Sequence, residues 1–340
     1  MANAPDIPAI MADARWLPYR YDRSRDEVHF VWLPRKTHRE LAFLTRPEVA
    51  QAMPRHAVPR RLIAEHLPSA QAPLHLIMHS GLTGSTQLTH ALDLEDVAMT
   101  LSEPPILSDI VRYRLAGATP QQTDALIDDI LSLFARPFSP GEAVIVKMNS
   151  IGNALGSQIL ARRPTSKALC LHAPLPLYLA SIARKGLEGR IWGRKLFATL
   201  RTAGLTDIGF SDEEIFEHTD LQIAADGWLI LHRMMGDAGV RFGKRVVAAD
   251  SEAAIARPEA TLTAIGTHFG LNLDAAAIAA DPTLARHSKT GEAFDAERRS
   301  EELRLAAEVH RVEIERVLAW ARQVADVQRI PWALPNQLLD

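Results

Sequence analysis

The chain has 340 residues, 47% of them hydrophobic and 23% charged, enough to bury a full core as one large α/β domain or one domain with attachments. A formal net charge of −3 offers no global attraction to nucleic acid or to an anionic membrane, so any basic function must be local. The single cysteine, Cys170, excludes an intrachain disulfide framework and a cysteine-based metal site, and no run of about 18 apolar residues reads as a membrane span.

Asp6, Pro8 and Asp13 fall where a secretory signal needs an uninterrupted apolar core, which with the lone cysteine points to a soluble cytoplasmic protein. Residues 1–70 read as an N-terminal extension packing on the core. They carry a strand candidate at His29–Leu33 and helical patches at Thr37–Leu44 and Pro47–Met53, broken by Pro54 and Pro59. From Leu74 the pattern becomes strand, Gly-rich turn, helix. Further β-rich runs stand at Glu142–Met148, Ala168–His172 and Lys244–Ala248, with helical stretches such as Gln121–Phe134 and Glu213–Met235 between them. This alternation predicts an α/β domain over 71–295, with a central, mainly parallel sheet and flanking helices. Residues 296–340 form a helical tail. From Asp295 to about Gln328, Glu, Arg, Ala and Leu recur at helical spacing, which suits one or two amphipathic helices, docked or joining an oligomer.

The stretch His79–Asp93, "HSGLTGSTQLTHALD", follows the buried run Leu74–Met78 and precedes a helix. Backbone amides and the helix dipole converge on an anion at such a place. Gly81 and Gly84 let the backbone wrap a phosphate, and Ser85 and Thr86 add hydroxyl donors. A nucleotide-hydrolase loop requires G-x-x-x-x-G-K-[ST]. Here His79 replaces the first glycine and Ser85 the lysine, which removes that reading's main charge. A Gly-Ser turn that merely caps a helix is the plainer alternative.

"SGLTGSTQL" followed by "LSEPPIL" resembles the sulfotransferase family, in its bacterial and tyrosylprotein-like branches. The resemblance continues in order through "VIVKMNS" (Val144–Ser150), "KALCLHAPLPLYLASIARKG" (Lys167–Gly186), "ADSEAAIARPEATLTAIGTHFGL" (Ala249–Leu271) and "RHSKTGEAFD" (Arg286–Asp295). It implies a P-loop-type three-layer α/β fold and sulfuryl transfer from 3′-phosphoadenosine-5′-phosphosulfate to a hydroxyl of a small molecule or peptide, without a metal. It also implies roles for residues. Gly81, Leu82, Thr83, Gly84, Ser85 and Thr86 would cradle the 5′-phosphosulfate. Glu103 would be the base, and Lys147 would lie near the transferred group. His172, Ser181, Arg184, Ser288, Lys289 and Thr290 would hold the nucleotide, chiefly its 3′-phosphate. Leu82 stands where the family has arginine or lysine, and His172 where it has arginine. Arg162, Arg163, Arg184, Lys185, Arg190, Arg194, Arg286 and Lys289 are the candidates to compensate.

Sulfuryl transfer passes an electron-poor group in line between two oxygens, so it rests on positioning and on neutralising charge at the leaving oxygen. Lys147 suits the second task. Glu103, beside Pro104 and Pro105, suits proton removal from the acceptor, with Asp109 and His79 as the next candidates. The 13 histidines are dispersed, without an H-E-x-x-H pairing. Plainer readings stand beside these: Glu103 as a capping carboxylate, Lys147 as a solvated strand-end lysine, His172 as a core histidine, and Trp192 and Trp228 as core or pocket wall. Two other functions remain open, a nucleotide-dependent kinase or hydrolase of the same fold and a non-catalytic homologue that binds or scaffolds.

Overall fold

A computed structural model describes residues 6–45, 53–68, 71–281 and 296–339. Near the N-terminus, β1 (Trp16–Asp22), β2 (Glu27–Trp32) and β3 (Arg55–Pro59) form an antiparallel sheet in that order. The register sets Trp16 opposite Trp32, whose rings meet edge to face at 5.2 Å. Such a cross-strand aromatic pair fixes a hairpin's alignment.

Five further strands follow: β4 (Leu74–His79), β5 (Ala98–Ser102), β6 (Ala143–Lys147), β7 (Ala168–His172) and β8 (Val246–Asp250). They lie side by side in the order β5-β6-β4-β7-β8, and the β4–β6, β5–β6 and β7–β8 pairs are parallel. Every residue of β4, β5, β6 and β7 is buried. Strands without a wet face are the mark of a parallel sheet covered on both sides, as the continuous apolar runs predict. The expected strand at Lys244–Ala248 sits two residues later, because Gly243–Arg245 form a 3₁₀ turn.

The chain divides into two compact units, one of Met1–Ile77, Thr86–Lys167 and His268–Leu273, the other of Met78–Ser85, Ala168–Thr267 and Asp274–Asp340. In the first, helix Pro120–Phe134 starts at a Thr119–Gln122 capping box, one residue from the expected boundary. Beyond its end, Arg136 is buried, and among the described residues no carboxylate lies within ion-pair distance of it, the Asp13 charge acting from further off. Its guanidinium donates to the carbonyls of Leu133 at 2.7 Å, Ile10 at 2.8 Å, Met11 at 3.0 Å, Asp13 at 3.3 Å and Trp16 at 2.7 Å. Five carbonyl dipoles take the place of a directly paired carboxylate. Burial pushes its pKa down to about 10, which leaves it charged at neutral pH.

In the second unit, the stretch expected to be helical over Glu213–Met235 is two helices, Asp212–Glu217 and Asp220–Phe242. A second capping box, Thr219 with Gln222, starts the longer one and forces the break at His218. Helices Leu175–Arg184, Asp220–Phe242 and Arg311–Val327 enclose an apolar cluster around Tyr178 and Trp228, so the second tail helix is docked. Gly236 and Gly239 let the C-terminal segment cross Asp220–Phe242, since an added Cβ would meet Pro331 or Pro335 at 2.6 Å. The helical patch expected at Thr37–Leu44 is the shorter helix Arg35–Glu40, and 47–52 of the neighbouring patch lie outside the described residues.

Arg136→Met leaves five carbonyls of a buried cage without their donor and should destabilise the first unit by about 3 kcal/mol. Calorimetry should show a lower melting temperature, and limited proteolysis should cut before Trp16. A variant as stable and resistant as the wild type would mean that Arg136 carries no net stabilisation.

Candidate active site

In the first unit the sheet's register decides which side chains meet. Ser102 of β5 lies level with Lys147 of β6, and the Glu103 amide donates to the Lys147 carbonyl at 2.9 Å. Both residues therefore stand at the carboxyl ends of adjacent parallel strands, where open α/β sheets form their sites. Lys147 Nζ lies 2.8 Å from Glu103 Oε1 and donates to Thr86 Oγ1 at 3.0 Å. The lysine is 0% exposed, whereas the Glu103 side chain keeps 17% of its surface. A dry cation is thus paired with a carboxylate that solvent can still reach. Lys147 is not the solvated strand-end lysine of the plainer reading.

Glu103 has a left-handed backbone, φ +58°, which costs a residue with a side chain roughly 1–3 kcal/mol. Pro104 contributes by disfavouring the right-handed helical region for the residue before it. Asn149, which the sequence did not single out, buttresses this turn. Its Nδ2 donates to the Pro104 carbonyl at 3.4 Å, and its Oδ1 accepts from the Gly152 amide at 2.7 Å.

Phe43, also missed, places its ring centroid 4.6 Å from Lys147 Nζ. No periodicity links residues 104 positions apart, so only the fold reveals the pair. Asp109 is unsuited to act as a base because it is already spoken for: it accepts from Arg20 Nε at 2.7 Å, Arg20 Nη2 at 2.9 Å and the Tyr21 amide at 3.0 Å.

In the second unit, the loop after β4 turns through left-handed positions at Gly81 (φ +83°), Leu82 (φ +57°) and Gly84 (φ +70°). Gly84 is required by its φ alone, since an added Cβ meets nothing within 4 Å, whereas at Gly81 the Trp192 ring stands 3.1 Å away. The Gly81 amide donates to His79 Nδ1 at 3.1 Å, which puts that imidazole's proton on Nε2 when it is neutral. Leu82 packs against the Tyr178–Trp228 cluster. The position where a cation was expected is an apolar anchor. Thr83 is buried with its hydroxyl unpartnered among the described residues, and Ser85, also buried, opens helix Ser85–Leu92.

His172 ends β7, level with Asp250 of β8. Its ring nitrogens have no partner among the described residues, and its edge meets His232 at 5.4 Å. Burial pushes its pKa down, with Asp250 pulling weakly the other way. Burial thus favours its neutral form, and it supplies no cation where an arginine was expected. His232 stacks on Trp228 at 4.1 Å, and burial, aided by His172, drives it down to about 3.

Ser181 is half-buried on helix Leu175–Arg184, and Arg184 at that helix's end pairs with Glu302. Other candidate cations are engaged as well: Arg162 with Asp124 and Asp128, Arg190 with Glu313, and Arg194 with Asp220. Arg286, Ser288, Lys289 and Thr290 lie outside the described residues. Among the described residues, no group of three or more His, Cys, Asp or Glu is placed to hold a metal ion, and no helix is long and apolar enough to cross a membrane.

No family model matches the chain, and no curated protein matches it. Solved structures similar to it include two sulfotransferase domains. That from the Synechococcus PCC 7002 olefin synthase is 17% identical, covering 72% of this chain and 96% of the other at a TM-score of 0.39. That from the curacin biosynthetic pathway is 14% identical, covering 71% and 98% at a TM-score of 0.41.

Burial holds His38 and His75 down to about 4 and His232 to about 3. A base whose folded pKa is depressed binds fewer protons than the unfolded chain, so stability is full above pH 6.5 and falls as pH drops toward 4. Each such histidine should cost roughly 2 kcal/mol at pH 5 relative to pH 8. Melting temperatures measured across that range should fall in the wild type, and less steeply in His232→Phe. Equal slopes would show that His232 is not held neutral.

Proposed function

We propose that this protein is a sulfotransferase-like enzyme that moves a sulfuryl group from 3′-phosphoadenosine-5′-phosphosulfate to a hydroxyl acceptor. The observation that carries the reading is the buried Lys147 ammonium held between Glu103 and Thr86 at the carboxyl ends of β5 and β6. The donor, when bound, supplies an electron-poor sulfuryl group whose bridging oxygen gains negative charge as it leaves. The donor set suits an anion of that kind, because it combines a dry cation with a hydroxyl in the first turn of helix Ser85–Leu92, where amides and dipole favour negative charge.

Lys147 neutralises charge at the departing oxygen, a contribution of about 3 kcal/mol for one well-placed donor. Glu103 takes up the acceptor's proton. Its carboxylate already accepts from an ammonium, so it is fixed in direction, and its remaining exposure is the route by which an acceptor hydroxyl reaches it. The left-handed Glu103 backbone supports this reading, since strain of that kind collects where a side chain must be aimed.

One observation favours a second reading. Leu82 is anchored in an apolar cluster and His172 is neutral, so two positions that carry cations in the family carry none here. A non-catalytic homologue that binds an anionic nucleotide would tolerate both departures.

Adenosine-3′,5′-bisphosphate should raise thermal stability more than ATP with magnesium does, by about 2.7 kcal/mol at a hundredfold excess over Kd. A larger shift with Mg-ATP would favour a kinase or hydrolase. Release of the bisphosphate in the presence of mixed alcohols, sugars and phenols then separates enzyme from binding module. Glu103→Gln should lower turnover about 10²- to 10⁴-fold with nearly constant bisphosphate affinity, while Lys147→Ala should lower both. Full turnover in Glu103→Gln would remove Glu103 as the base.

A further inference from the structure

Residues 41–45 belong to the part of the chain before the phosphate-loop strand, yet they are tied to the end of β5. Ser102 Oγ donates to the Ala42 carbonyl at 2.8 Å, and the Leu44 amide donates to the Ser102 carbonyl at 2.8 Å. Two hydrogen bonds to one residue thus bracket Phe43, and they do so next to Glu103. The held ring faces the Lys147 ammonium 4.6 Å away. That distance is within the range where a cation is attracted by an aromatic face, and the attraction grows with burial from solvent, which is complete for this lysine. An aromatic face attracts the charge without offering a lone pair. It therefore covers the ammonium without competing with oxygen acceptors for its protons.

We propose that Phe43 is a positioning residue for Lys147, whose ring, pinned by Ser102, keeps the ammonium dry and turned toward Glu103 and Thr86. An arriving anion then meets a cation already stripped of water and already oriented, a preorganisation that leaves less to be rearranged on binding. The consequence for anion binding rests on the donor reading given above, whereas the dryness of the ammonium does not.

Two measurements on the full chain test this. In the free protein labelled with ¹⁵N-lysine, Phe43→Leu should speed exchange of the Lys147 ammonium protons with solvent at least roughly fivefold, and Phe43→Tyr should not. In binding titrations, Phe43→Leu should weaken adenosine-3′,5′-bisphosphate about 3- to 30-fold, Phe43→Tyr should restore the affinity, and Phe43→Leu should have no further effect in a Lys147→Met background. A merely structural role would give the same loss in both backgrounds. Such additivity, or unchanged ammonium exchange in Phe43→Leu, would overturn the proposal. If the wild type binds no bisphosphate while Phe43→Leu still speeds the exchange, the positioning role stands and the donor reading falls.

Discussion

The ammonium of Lys147 is wholly buried from solvent, and the carboxyl ends of β5 and β6 are arranged around that fact. Removing a charge from water costs several kcal/mol unless partners replace the hydration shell. Here the partners come from three separate stretches of chain: Glu103 after β5, Thr86 in the helix after β4, and Phe43 in the segment before it. None is near the others in sequence. The strained Glu103 backbone and the Asn149 buttress belong to the turn that aims the carboxylate, and the Ser102 bracket on residues 42 and 44 holds Phe43. The site's geometry therefore follows from the cost of burying one lysine.

The fold handles buried basic groups in three ways. Lys147 receives a counter-ion, so its charge is directed and can be offered to a ligand. Arg136 donates its hydrogen bonds to carbonyls, which spread the charge over a cage and leave it no direction beyond the backbone it clasps. His38, His75, His172 and His232 give up the charge, because burial holds each of them neutral. The chemical difference matters for function. A cation caged by carbonyls is structural, whereas one facing a partly exposed carboxylate can exchange that partner for another anion.

The strands were legible because full burial leaves an unbroken apolar run. Ala168–His172 was read at its observed bounds and Ala143–Lys147 within a residue at either end. Where the reading slipped, local chemistry had prevailed over periodicity. Thr219 and Gln222 begin a new helix inside one apolar pattern, and Gly243 turns Lys244 and Arg245 out of β8. In β1, Pro18 and a register shift before Arg20 hide the alternation that would have revealed it. Glu103 and Lys147 could be paired from the order of motifs. Phe43 and Asn149 could not, since a ring contact made from a distant loop and a turn-holding amide leave no mark on composition or spacing. Leu82 was visible as a departure, but its role as an apolar anchor depends on the Tyr178–Trp228 cluster, which exists only once the helices have packed.

Arg136 also sets an order of events in time. The hairpin of β1 and β2 needs only its own residues to form, yet the carbonyls of Ile10, Met11, Asp13 and Trp16 find their donor 120 to 126 positions further along. On a ribosome adding roughly 5–20 residues per second, those carbonyls wait on the order of ten seconds or more for Arg136 to be made. Contacts so distant are the slow ones to close. Residues 10–16 are therefore fastened only after Arg136 has been made, and during that interval the aromatic hairpin is open to chaperones, to proteases and to other nascent chains.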